Sequence, residues 1–308
     1  MHNYPESVAA ELRQGLYCAM NDNPQDSMKH FRSALEQCAA LGMDALSDEV
    51  TGIKIELAGM LEKHGLPDKT VTILEHVLDE VVVGAKAQPN GPERTRLMRK
   101  GVSIGFKLGA LYQDMEKPAE AEEALVWSVE TALRERRRRE TENVKVEEEG
   151  EWFSDEETAM ALENLAGYYG GNDQHFLATP LYLQALDLLP PNTCHAVIIM
   201  NNLSVSLAQQ HIPPSAPVTR EQLITDSATK WAQKALKVSE KTKPPHRTDE
   251  CDTGCAAAIY NLAEFAEMLN DKDLARERYV EARSLAKGLG LEEGIRKAEE
   301  GLRRLDAN

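Results

Sequence analysis

Residues 158–191, TAMALENLAGYYGGNDQHFLATPLYLQALDLLPP, set the constraint that the rest of the chain has to satisfy. Leu162, Leu165, Ala166 and Tyr169 recur at helical spacing, Gly170-Gly171-Asn172-Asp173 breaks that helix, and Ala178, Tyr182 and Ala185 mark one face of a second helix that stops at Pro190-Pro191. The reading is a helical hairpin. Its crossing points carry small residues: Ala166 and Ala178 let two backbones approach closely, while Tyr169 and Tyr182 fill the space beside them.

The same unit returns along the chain. Gly15, the turn Asn21-Asp22-Asn23-Pro24, Ser27, Phe31 and Ala34 give a first copy, and Leu57, Ala58, Leu61, the turn 65–68, Thr70, Leu74 and Val77 a second, with Ser47-Asp48-Glu49 as cap and first turn. A third copy runs through Leu108-Gly109, Tyr112, Ala121, Leu125 and Ser128, after a loop at Gln88–Pro92. Its Gly101, Gly105 and Gly109 form a small-residue stripe that, in a polar-flanked helix, points to close packing. A fifth copy has Leu203, Ser204 and Leu207, then an enlarged turn containing HIPPSAPVT, then Ala228, Ala232 and Ala235. A sixth has Ile259, Leu262, Ala263, Ala266, Ala275, Tyr279 and Ala282, and EEGIRKAEEGLRRL follows as a charged amphipathic helix suited to capping a stack. The order of large and small residues is the tetratricopeptide (TPR) signature, whose minimal unit is about 34 residues. The expected fold is all-α: a TPR superhelix, or α-solenoid, of about six helical hairpins plus a C-terminal capping helix. It is expected as a single domain over 4–308, with repeats near 8–41, 48–84, 98–139, 157–191, 194–241 and 255–288 and a cap at 291–305.

Composition narrows the function classes. A formal charge of -16 disfavours a general nucleic-acid binder, which needs a basic face to neutralise phosphates. No window holds the roughly 20 apolar residues of a membrane span, and the N-terminal residues lack the apolar core of a signal peptide. The chain carries no HExxH, GxSxG, P-loop or dinucleotide-binding glycine pattern, and its histidines are scattered without metal-ligand spacing. The expectation is a non-enzyme with no catalytic residues, no metal and no cofactor. Cys18 and Cys38 read as buried helix residues, CDTGC (251–255) is not a CxxC site, and a bridge among Cys194, Cys251 and Cys255 stays open.

One region breaks the repeat pattern. RERRRR (134–139) continues the second helix of the third hairpin and abuts VKVEEEGEWFSDEE, so opposite charge runs are adjacent. The acidic segment 140–156 offers little apolar surface to offset the entropy of ordering it and is expected to be a mobile loop. Trp152-Phe153 are the exception within it: adjacent aromatics in an acidic loop should fold back or meet a partner.

The candidate site comes from register. Asn164, Asn202 and Asn261 occupy one and the same first-helix slot, with Glu163, Asn201 and Tyr260 one residue earlier, and the third hairpin places Phe106 and Lys107 there. In a TPR stack that slot faces the concave side. A side-chain amide both donates and accepts, so a row of amides can hold the backbone of an extended peptide without demanding particular side chains. Phe106, Lys107, Glu163, Asn164, Asn201, Asn202, Tyr260 and Asn261 are therefore the expected peptide-binding residues.

At YPESVAAELRQGLYCAMND, and more strongly at LGMDALSDEVTGIKIELAGMLEK, the sequence resembles the TPR-containing adaptor subunits of the fungal mitochondrial i-AAA protease complex. ATPLYLQAL and the Asn-Leu pairs are also similar to kinesin-light-chain-type TPRs. The first resemblance implies a domain in the intermembrane space, held to the inner membrane by an anchor absent from this chain. It further implies unfolded protein substrates as partners, together with the i-AAA protease and its other adaptor subunit, and delivery of the substrates for degradation. The second implies a TPR assembly scaffold or cargo-binding module.

Overall fold

The structure is a computed structural model and describes residues 4–213 and 215–307. Asn308, the last residue of the expected domain, and Pro214, inside the enlarged turn, lie outside the described residues. Among the described residues every regular element is helical. The chain divides into two compact units, one ending at Phe153 and the other beginning at Ser154. The span 4–308, expected as one domain, comprises these two units.

The first unit contains three hairpins: α1 (Glu6–Met20) with α2 (Pro24–Ala40), α3 (Asp48–Lys63) with α4 (Pro67–Ala87), and α5 (Pro92–Asp114) with α6 (Pro118–Glu142), followed by the single turn α7 (Val146–Glu149). The second contains α8 (Asp155–Gly171) with α9 (His175–Leu188) and α10 (Cys194–Gln209) with a composite second helix. That composite runs through α11 (Arg220–Leu223), a π-helical turn at Ile224–Ala228 and α12 (Thr229–Lys241). Then come α13 (Asp249–Met268) with α14 (Lys272–Leu289) and the terminal α15 (Glu292–Ala307). The sixth hairpin starts at Asp249, six residues before the expected 255, and the third at Pro92 rather than 98.

Five of the six hairpins turn by one device. Asp22, Gly65, Glu116, Asp173 and Asn270 all adopt positive φ immediately after the first helix. The next N–H reaches back to the fifth preceding carbonyl: Asn23 to Cys18, Leu66 to Leu61, Lys117 to Tyr112, Gln174 to Tyr169 and Asp271 to Ala266, all at 2.8–3.0 Å. This satisfies carbonyls that the helix end would leave orphaned and reverses the chain within a few residues. Entry to the following helix is equally local. Proline stands in the first turn of α2, α4, α5 and α6, where its missing N–H costs nothing. Ser47, Thr193 and Asp271 accept N-terminal N–H groups with their side chains, and Ser154 forms a reciprocal capping box with Glu157.

Within each hairpin the small residues permit the close crossing. Ala34, Ala121, Ala166, Ala178, Ala185, Ala263 and Ala275 are fully buried. A Cβ on Gly105 would collide with Ser128 Oγ, and one on Gly109 would come 2.5 Å from Leu125, so the glycine stripe is a helix-packing face. Where the second helix offers a hydroxyl in place of alanine, it bonds the facing backbone: Ser27 Oγ donates to the Gly15 carbonyl at 2.8 Å, and Thr70 Oγ1 to the Ala58 carbonyl at 3.3 Å.

The structure corrects the expectation of a mobile acidic loop over 140–156. Helix α6 continues to Glu142, α7 follows, and Trp152 donates its indole N–H to the Ala132 carbonyl at 3.1 Å. Arg139 lies over the Trp152 ring, donates to the Gly150 carbonyl at 2.8 Å and to Thr95 Oγ1 at 2.5 Å, and pairs with Glu135 at 3.0 Å. Arg138 grips Glu135 at 2.6 Å and also pairs with Glu149. Composition alone missed this because the ordering is supplied from outside the segment, by arginines on α6. Glu135 and Glu149 end up buried. Burial opposes ionisation of Glu135, but hydrogen bonds from Arg138 and Arg139 prevail and hold its carboxyl below the usual range.

Candidate peptide-binding groove

The first helices of the second unit build the site. Along α13, Ala256, Ala257, Tyr260, Asn261 and Glu264 face a groove of ≈ 710 Å³, closed by Val205 and Gln209 of α10, Ala282 and Ala286 of α14, and Glu292, Glu293 and Lys297 of α15. Alanines keep its floor low, so backbone can approach it; Tyr260, Asn261 and Gln209 supply an aromatic wall and two amides. The Tyr260 hydroxyl donates to Glu264 at 2.6 Å, and burial followed by that carboxylate pushes the phenol well above its ordinary pKa. Two of the expected contact residues, Tyr260 and Asn261, therefore share one groove with side chains not singled out beforehand. Val205, Gln209 and Glu264 lie three, seven and three residues after expected site positions, so extending the register by helical periodicity would have found them.

The other expected contacts have different surroundings. Glu163 accepts from Asn202 Nδ2 at 3.3 Å on one oxygen and meets His195 Nε2 at 2.7 Å on the other. The Glu163 hydrogen bond raises the His195 pKa, against the effect of burial. Asn202 and Glu163 are thereby joined across α8 and α10, while Asn164 next to Glu163 stays exposed. Asn201 is buried at 4% exposure and donates its amide to the Gly254 carbonyl at 2.8 Å. Its expected role as a peptide contact gives way to bracing α10 against α13. Phe106 and Lys107 belong to the first unit, on α5, where Lys107 pairs with Glu62 at 2.6 Å.

The α10–α13 seam explains why this wall is well defined. Cys194 and Cys251 form a disulfide, with Cα atoms 4.6 Å apart, while Cys255 remains a free thiol one turn later. A Cβ on Gly254 would sit 2.6 Å from Val197, so only glycine allows the helices this approach. The sequence left the pairing of Cys194 open because α13 begins earlier than its apolar pattern suggested, which brings Cys251, not Cys255, to the helix start.

Among the described residues no group of three or more His, Cys, Asp and Glu side chains is placed to hold a metal ion. Among them, too, no helix is long and apolar enough to cross a membrane. The arrangement offers hydrogen-bonding amides, an apolar floor and carboxylates, which suits recognition of polypeptide backbone.

Comparison with known proteins agrees with the geometry. No family model matches the chain. A TPR repeat-containing protein of Schizosaccharomyces pombe is 29% identical over 308 residues, spanning 99% of this chain and 79% of its own length. A Saccharomyces cerevisiae protein named MRG3-like is 43% identical over 65 residues, 20% of this chain and 14% of that protein. Among solved structures, BtubC from P. vanneervenii superposes with a TM-score of 0.55 at 13% identity, over 93% of this chain and 92% of its own. A single-residue variant of a putative kinesin light chain of Podosopora anserina, with nearly identical TPR-like repeats, gives 0.50 at 16% identity, over 79% and 97%. Such identities speak to the fold alone. With six hairpins of the repeat geometry and a similar repeat-containing protein along nearly its whole length, the chain has the all-α fold of tetratricopeptide-repeat proteins.

Proposed function

We propose that this chain is a non-enzymatic adaptor that holds unfolded or extended polypeptide segments along the first-helix face of its second unit and delivers them to the mitochondrial i-AAA protease. The observation that carries the binding half is the groove along α13: an alanine floor flanked by Tyr260, Asn261 and Gln209, able to pair with backbone while demanding little of side chains. The delivery half, with location at the inner membrane facing the intermembrane space, is supported by the sequence resemblance at residues 4–22 and 41–63.

The test is fluorescence anisotropy of a labelled, permanently unfolded polypeptide with the whole chain. One net hydrogen bond contributes roughly 0.5–1.5 kcal/mol, so Asn261→Ala weakens binding several-fold and Tyr260→Ala/Asn261→Ala more than tenfold; because the Tyr260 ring also packs against Tyr279, thermal melts establish that each variant is folded at the assay temperature. Asn201→Ala instead lowers stability. Unchanged affinity in a folded double variant would sink the groove assignment. Recovery of the i-AAA protease from mitochondrial extract tests delivery; tight capture of one folded partner, with no affinity for unfolded chain, would favour an assembly scaffold.

A further inference from the structure

The second helices of the first unit leave a cleft that the peptide groove does not use. Helices α4 and α6 both pack on α5, and between them Leu78, Val82, Leu108, Tyr112 and Trp127 line a depression of ≈ 750 Å³. Its other walls are acidic: Glu75 and Asp79 on α4 face Glu120, Glu123 and Glu130 on α6. No cationic side chain lines it among the described residues; the neighbouring Arg134 is paired with Glu130 at 3.6 Å and opens onto the adjoining hollow. Tyr112 donates to Glu75, and its phenol is pushed up by burial and then by Glu75, with Glu120 and Glu123 adding to the effect. Three of the carboxylates, Glu75, Glu120 and Glu123, thus act on the Tyr112 phenol that lines the cleft.

The second unit supplies an internal comparison. The corresponding cleft between α12 and α14, over α13, has a volume of ≈ 400 Å³, and its charged walls are Lys237, Glu240 and Arg278. The cleft is a product of the repeat architecture, but the like charge that walls the α4–α6 cleft is, among the described residues, absent from the α12–α14 one. Glu75, Asp79, Glu120 and Glu123, with Glu130 already paired to Arg134, repel one another around an apolar floor and are stabilised when a cation enters, more strongly where water is partly excluded. From Glu120 to Glu130 the α6 wall spans about 15 Å, the reach of about five residues of extended chain.

We infer that the α4–α6 cleft is a docking site for a cationic amphipathic polypeptide segment, with Lys or Arg residues flanking an apolar anchor seated on Trp127 and Leu108. Charge complementarity selects this occupant. The chain's own net charge of -16 opposes a second copy or an acidic segment there. The apolar floor separates the site from diffuse attraction to an acidic protein, which would accept any polycation.

The test uses the whole chain and three labelled twelve-residue peptides, read by anisotropy: one alternating Lys and Leu, one with Glu in place of Lys, and one with Gly in place of Leu. The Lys/Leu peptide binds, the other two bind at least tenfold more weakly, and its affinity falls as salt is raised. Asp79→Lys/Glu123→Lys reduces binding at least thirtyfold, and Trp127→Ala at least fivefold. The charge-matched control Asp273→Lys/Glu277→Lys, on the exposed face of α14, changes it less than threefold. Equal losses in both double-lysine variants, or equal binding of the Lys/Gly peptide, would show attraction to net charge alone and overturn the inference. So would wild-type affinity in a folded Asp79→Lys/Glu123→Lys protein, or concentration-dependent dimerisation that Trp127→Ala abolishes without any peptide binding. Failure of the Tyr260 and Asn261 variants leaves this result untouched, because those residues lie in the other unit.

Discussion

The two units secure their irregular connections by different chemistry. In the first, the acidic segment after α6 is held by arginines: Arg138 and Arg139 reach Glu135, Glu149, the Gly150 carbonyl and the Trp152 ring. In the second, the long passage from α10 through α12 to α13 is closed by the Cys194–Cys251 bridge, 57 residues apart in sequence, with Asn201 bonded to the Gly254 carbonyl beside it. A charge network specifies one arrangement but leaves buried carboxylates dependent on their partners. A covalent closure restricts the unfolded chain and asks little of the surrounding side chains. The same repeat fold thus tolerates an over-long connection in two ways, with opposite sensitivities to charge removal and to reductant.

The largest expected effect would break the first closure. Arg138→Ala/Arg139→Ala leaves Glu135 with only the Arg94 contact at 3.5 Å, removes the cations beside Glu149 and uncovers Trp152, and costs about 3–5 kcal/mol because it strands buried carboxylates. Chemical denaturation should show the first unit unfolding earlier, with segment 140–153 becoming cleavable by protease. A loss below about 1 kcal/mol would mean that the network positions the segment without stabilising it. Next comes the covalent closure. Cys194→Ala/Cys251→Ala, or reduction of the native chain, should destabilise the second unit by roughly 2–4 kcal/mol and leave the first unit's transition in place. Coupled loss of both transitions would refute the separation of the two closures.

A smaller change sharpens the role of the aromatic pair. Trp152→Phe keeps a ring beneath Arg139 but removes the N–H donated to the buried Ala132 carbonyl, a loss of roughly 0.5–1.5 kcal/mol. Hydrogen exchange of the 145–153 backbone is the direct readout, and protection equal to wild type would assign the anchoring to Arg139 alone. The smallest effect belongs to His195. Its native pKa is raised by Glu163, so the native state holds this proton more tightly than the unfolded chain does. That stabilisation is complete below about pH 6.5 and disappears as pH rises through the native pKa, because the slope of stability with pH follows the difference in bound protons. Thermal melts of the second unit across that window should fall with rising pH, and His195→Gln should flatten the trend; a rise with pH would contradict the Glu163 pairing.

Legibility in the sequence followed the range of the interaction. Ser47 as a cap, Asn21–Pro24 and Leu269–Asp273 as turns, and Ala166 and Ala178 as crossing residues could all be read, because each acts within a few residues or within one hairpin. Asn201 and Asn202 could not be told apart. They are adjacent and chemically identical, yet one faces the α13 backbone and the other Glu163, and about 100° of helical rotation makes that difference. The acidic segment misled for a related reason. Its own composition argues for mobility, and the arginines that overrule it lie on a preceding helix.

By itself, then, the sequence determined that this protein is a run of helical hairpins, how many there are, and which residues cross inside each, since periodicity, turn chemistry and small-residue spacing are local and repeat. Only the tertiary structure decided which cysteines are bridged, which asparagine braces a helix and which faces a groove, and that five carboxylates from two helices ring one apolar cleft. Those outcomes depend on how neighbouring hairpins rotate and approach one another, and that rotation is set by packing between side chains far apart in the chain.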